Sequence, residues 1–86
     1  MARILYVDDD PALVRLAQRA LGREGHDVLH APDATAAHGH LDLSPFGAVV
    51  LDHYLPQGTG IDILKALRER GDGTPAIYVT GSSEAT

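Results

Sequence analysis

Three short apolar runs, each closed by a polar group, constrain this chain more than anything else in it. They are ILYVDDD (Ile4 to Asp10), AVVLD (Ala48 to Asp52) and AIYVT (Ala76 to Thr80). An unbroken apolar run of this length reads as a strand covered on both faces, the habit of parallel sheets. If the three are neighbouring parallel strands, Asp8, Asp9, Asp52 and Thr80 emerge at one edge of the sheet. Open parallel sheets place their sites outside the carboxyl ends of their strands. Carboxylates gathered there suit a hard divalent cation, and a nearby hydroxyl suits a phosphoryl oxygen.

The segments between the runs carry helix signals. Asp10-Pro11 is an N-cap acid followed by proline at the first helical position. Leu13, Leu16, Ala17, Ala20 and Leu21 follow at helical spacing, with Arg15, Gln18, Arg19 and Arg23 expected outside and Gly22 and Gly25 as the stop. Asp27 to Ala31 forms a short second strand, and Asp33 caps a second helix running to about Leu43. Ser44 to Gly47 is a turn, and Leu55 to Gly60 is a loop rich in proline and glycine. Ile61, Ile63, Leu64 and Leu67 mark a third helix closed by Gly71 and Gly73. The alternation β-α-β-α-β-α-β with right-handed crossovers predicts a doubly wound parallel sheet with helices on both faces. Gly81 to Thr86 reads as the turn into a fourth helix.

Composition narrows the function classes. With 86 residues the chain is one domain, residues 1–86. Its net charge of −5 argues against direct nucleic-acid contact by this segment, which calls for a basic surface. There is no cysteine, hence no disulfide framework and no thiolate metal site. No secretion signal and no membrane-spanning run is evident, so a cytoplasmic location is expected.

Three carboxylates at one sheet edge repel each other unless a cation neutralises them. Magnesium prefers oxygen ligands and keeps several waters, which fits two carboxylates and a backbone carbonyl. A carboxylate with one free oxygen can then attack phosphorus, and phosphoryl transfer asks for little beyond positioning and charge compensation. Asp52, alone at the centre of the sheet, is the expected nucleophile, with Asp8 and Asp9 holding the metal.

VDDD with its following proline, LDHYLPQGTG and YVTG, in that order and spacing, closely resemble the receiver domain of two-component response regulators, the CheY-like division of the flavodoxin-like fold. The resemblance covers the whole chain and implies strand order 2-1-3-4. It implies Asp52 as the phosphoacceptor, and Asp8 and Asp9 as the acidic pair that binds Mg2+ together with Asp52 and the backbone carbonyl of Tyr54. It makes Thr80 the switch hydroxyl that contacts the phosphoryl group, and Gly81 the small residue behind it. It implies a sensor histidine kinase or phosphotransfer protein as donor, and a signalling switch that catalyses only its own phosphorylation and dephosphorylation.

The family also carries a lysine and an aromatic switch residue on a fifth strand, followed by further helices. The sequence matches the first two-thirds of a receiver, and Lys65, its only lysine, lies on the third helix. Slower phosphorylation is expected without the family lysine. The alternative is a truncated receiver acting as a phosphorylation-independent dimerisation or interaction module. Self-association, as a homodimer or higher assembly, is expected either way, because an uncovered apolar face and an open strand edge invite partners.

Other readings fall on the residues. Asp10 is a cap. His38 and His40, two apart on a helix, lie on different faces and make no ligand pair. His53 adjoins Asp52, whereas a cobalamin motif spaces its histidine as D-x-H-x-x-G. There is no G-x-x-x-x-G-K-[ST] loop and no G-x-G-x-x-G after the first strand, so a nucleotide-binding enzyme is poorly supported.

Overall fold

The computed structural model describes residues 2–53, 55 and 58–79. Strands β1 (Arg3–Val7), β2 (Asp27–Ala31), β3 (Ala48–Asp52) and β4 (Ala76–Val79) alternate with helices α1 (Pro11–Arg23), α2 (Ala34–Leu43) and α3 (Gly60–Glu69). The strands form one parallel sheet, as the alternation predicts, in the order β2-β1-β3-β4 that the resemblance implies. The chain leaves β1 towards β2 through α1, then crosses to β3 and moves the other way towards β4. With right-handed crossovers that reversal puts α1 on one face and α2 with α3 on the other.

Local chemistry explains the helix ends. The Asp10 carboxylate accepts from the N–H groups of Ala12 and Leu13 at 3.0 and 3.3 Å, and Pro11 follows where no donor is needed. Asp33 caps α2 through the Ala36 N–H at 2.8 Å. At the start of α3 the Asp62 carboxylate accepts from the Thr59 N–H and hydroxyl. Gly25 (φ 86°) and Gly71 (φ 79°) take the left-handed conformation that reverses the chain after α1 and α3.

The core lies between the sheet and the α2/α3 layer. Leu5, Val7, Ala31, Val49 and Leu51 meet Ala37, Leu41, Phe46, Ile63 and Leu67 there, all buried. The opposite face is thinner. Ile4, Val50 and Val14 are buried, but Val14 is the only fully buried residue of α1.

That face corrects the expected orientation of α1. Its inward stripe is Val14, Ala17, Gln18 and Leu21, at the spacing of one helix face. Leu13 and Leu16 stand 41% and 62% exposed. Gln18, expected outside, donates from Nε2 to the Val28 carbonyl of β2 at 3.2 Å. Helical periodicity leaves the choice between two adjacent stripes open; in the structure Val14 fills the buried position and Gln18 beside it meets the Val28 carbonyl at the sheet edge.

Candidate functional site

The winding reversal sits between β1 and β3, whose carboxyl ends carry Asp8, Asp9 and Asp52. β1 and β3 pair in register through Val7↔Leu51, so the next residues of the two strands come out side by side. One carboxylate oxygen each from Asp8, Asp9 and Asp52 lies within 4.8 Å of the other two. Asp8 is buried at 4% exposure, Asp52 is half-buried and Asp9 is open to solvent. The three together therefore run from the sheet interior to the surface.

The acidic turn after β1 is tightly held. The Asp8 N–H donates to the Ala31 carbonyl at 3.0 Å, continuing the β1–β2 ladder by one bond. Its side chain accepts from the Asp10 N–H at 2.9 Å. Its carbonyl accepts from His30 Nε2 at 2.7 Å. Asp9, between these anchors, makes no hydrogen bond among the described residues and is exposed to solvent.

Asp52 is placed by a different device. The N–H of Gly60, first residue of α3, donates to the His53 carbonyl at 3.3 Å, drawing the helix onto the end of β3. Only glycine fits: a Cβ at position 60 would lie 2.4 Å from the Asp52 carbonyl oxygen and 3.0 Å from the Leu51 Cβ. The sequence predicts Gly60 only as the end of a loop, whereas the structure packs it against the Asp52 backbone. The signal available was a glycine eight residues after the acid at a helix start. On β4, the N–H of His53 donates to Val79, and the His53 ring is hydrogen-bonded through Nδ1 to the Tyr78 hydroxyl, edge to face.

The carboxylates are felt by a neighbour. Tyr6, on β1, has its phenol pushed above the ordinary 10.0, first by burial and then by the negative charges of Asp8 and Asp52. Tyr54, Thr80 and Gly81, expected at this site, lie outside the described residues.

The cluster fits a small divalent cation by its chemistry. All donors are carboxylate oxygens, one from each of the three lies within 4.8 Å of the other two, and the innermost residue is buried. Residues 4–86 match the family described as the response regulator receiver domain. The chain belongs to that family. This receiver sequence is 41% identical over 78 residues to the transcriptional regulatory protein TrcR of Mycobacterium tuberculosis, covering 91% of this chain and 30% of that protein. It superposes with a TM-score of 0.86 on the receiver domain of the Francisella response regulator 1452, at 27% identity, covering 91% of this chain and 64% of the other. The response regulator TrrA of Thermotoga maritima, solved in complex with Mg(2+)-BeF, matches with a TM-score of 0.79 at 27% identity, over 91% of this chain and 66% of its own. The receiver thus spans about a third of the curated relative and about two-thirds of the solved chains. Among the described residues no helix is long and apolar enough to cross a membrane.

Proposed function

We propose that this receiver accepts a phosphoryl group on Asp52 from the phosphohistidine of a sensor kinase or phosphotransfer protein. The observation that carries the reading is the convergence of three carboxylates at the reversal point of the sheet. Asp8, Asp9 and Asp52, with the carbonyl of Tyr54, would hold Mg2+, which when bound offsets negative charge on the transferred group. An Asp52 carboxylate oxygen forms the new bond to phosphorus. The bond from phosphorus to the donor imidazole nitrogen breaks, and that nitrogen keeps the electron pair and takes up a proton. Thr80 would contact a phosphoryl oxygen. The domain acts on itself only and turns over no separate substrate.

Intact mass after incubation with a small-molecule acyl phosphate tests this, with and without Mg2+ and beside Asp52→Asn. A magnesium-dependent phosphoryl adduct, absent from the variant, is expected. An adduct that persists in Asp52→Asn would move the acceptor elsewhere, and no adduct in the parent would remove the acceptor role.

A second reading, compatible with the first, is that the domain self-associates through the α1 side of the sheet. Leu13, Leu16 and Ile77, the last 57% exposed, are large apolar residues open to solvent. Ile77 pairs with Val50 in the sheet and so shares its face with the side that carries α1. Light scattering across a concentration range is expected to show mass rising with concentration. A constant monomer mass would eliminate this reading.

A further inference from the structure

We propose that His30 is a positioning residue for the metal-binding acids, holding the turn that carries Asp8 and Asp9 by a hydrogen bond to the Asp8 carbonyl. The β1–β2 ladder shows why a side chain is needed there. The Asp27 N–H donates to the Ala2 carbonyl at 2.8 Å at the start of the ladder. Parallel ladders repeat every two residues on both strands. Six residues on, the Asp33 N–H is due to donate to the Asp8 carbonyl. That bond is not made. β2 ends at Ala31, Pro32 turns the chain away, and Asp33 serves instead as the N-cap of α2. The Asp8 carbonyl is left one donor short at the mouth of the site.

His30 supplies the donor. It stands on β2 in register with Tyr6, one residue before the strand ends, and its half-buried ring reaches forward so that Nε2 lies 2.7 Å from the Asp8 oxygen. The acceptor is a carbonyl, so Nε2 carries the hydrogen. Among the described residues this is the one side-chain hydrogen bond that another element makes to the acidic turn. Together with the Ala31 carbonyl, which takes the Asp8 N–H, it clamps the peptide groups on both sides of the Asp8 α-carbon to β2. The Asp8 carbonyl belongs to the peptide that leads into Asp9, the solvent-facing carboxylate with no hydrogen bond of its own. Fixing that peptide orients Asp9 towards Asp8 and Asp52 before any cation arrives. Groups that orient ligands from behind are worth roughly 10- to 100-fold in metal affinity.

The inference rests on the reading of the acid cluster as a Mg2+ site, and the test separates the two. Mg2+ alone is titrated calorimetrically into the parent, His30→Leu and His30→Gln, with urea unfolding of each in the absence of metal. Leucine removes the donor while filling the space, and glutamine places an N–H at a similar reach. His30→Leu is expected to bind Mg2+ about tenfold more weakly, with His30→Gln close to the parent. Absence of Mg2+ binding by the parent would defeat the metal reading and this inference with it. Binding by His30→Leu equal to the parent would overturn the positioning role alone, as would glutamine failing to rescue while remaining folded. If His30→Leu does not fold, the imidazole nitrogen spectrum of the parent decides. His30 is expected to be protonated at Nε2, and that N–H signal to shift on the same Mg2+ isotherm as the backbone amides of Asp9 and Asp10. A ring without a hydrogen on Nε2, or a signal unmoved by Mg2+, would overturn the proposal.

Discussion

Gly60 and Asp52 are in contact through their backbones: the α3 helix starts so close to the end of β3 that a Cβ on Gly60 would meet the Asp52 carbonyl oxygen at 2.4 Å. The neighbour is main chain, so it cannot swing aside as a flexible side chain would. In a free helix, alanine in place of glycine gains up to about 1 kcal/mol. Forced overpacking against backbone costs about 1–3 kcal/mol, so the clash wins. Gly60→Ala is expected to lower stability in urea by about 1–2 kcal/mol and to slow formation of the Asp52 adduct, both measured on the same preparation.

Asp9 sits among like charges with no partner of its own among the described residues. Like charges about 4 Å apart repel by about 1 kcal/mol where water screens them, as it does at the exposed Asp9. Without metal, Asp9→Asn is therefore expected to stabilise the fold by about 0.5–1 kcal/mol. With metal the order reverses. At tenfold Mg2+ over its dissociation constant the parent gains about 1.4 kcal/mol, and the variant gains almost nothing. Paired urea titrations with and without Mg2+ check both signs.

Tyr6 reports the charge of the cluster. Burial, then Asp8 and Asp52, hold its phenol above 10.0 in the folded state, so the folded chain keeps this proton to a higher pH than the unfolded one. The stability linked to it is fully present below the unfolded value and is lost as pH rises through the raised folded value. Carbon NMR of the tyrosine rings is expected to place the Tyr6 midpoint above 10.0. In Asp52→Asn that midpoint drops but stays raised, because burial is the larger cause. A midpoint unmoved by Asp52→Asn would mean that the two groups do not sense each other.

Leu67 and Leu16 test the two faces of the sheet against each other. Leu67 is fully buried under α3, whereas Leu16 is 62% exposed on α1. Leu67→Ala is expected to cost about 2–5 kcal/mol, a large part of the roughly 4–13 kcal/mol available to a domain of this size. Leu16→Ser is expected to stay within about 0.5 kcal/mol while lowering the mass seen by light scattering at high concentration. An equal loss of stability in both variants would contradict the orientation of α1 described above.

The elements and their order were legible in the sequence because their signals are local. An apolar run covered on both faces, an acid before a proline, and a glycine after a helix each act within a few residues. Given those elements, the handedness of crossovers leaves few sheets, and the carboxyl ends of β1 and β3 bring Asp8, Asp9 and Asp52 together whatever the surrounding detail. The acid cluster could therefore be found without coordinates.

Other features depend on what stands opposite, and no local pattern encodes that. Which of two adjacent stripes of α1 faces inward shows only in the packing, where Val14 is buried and Gln18 reaches the Val28 carbonyl. The part played by Gly60 was decided by how near α3 starts to Asp52. The bond from His30 to Asp8 exists because β2 ends one ladder step too early to satisfy that carbonyl itself. By itself the sequence determined the strands, the caps and the acids at the strand ends, since short-range sterics and periodicity suffice for them. Only the tertiary structure decided which groups meet across elements, because packing and hydrogen-bond satisfaction are settled between segments far apart in the chain.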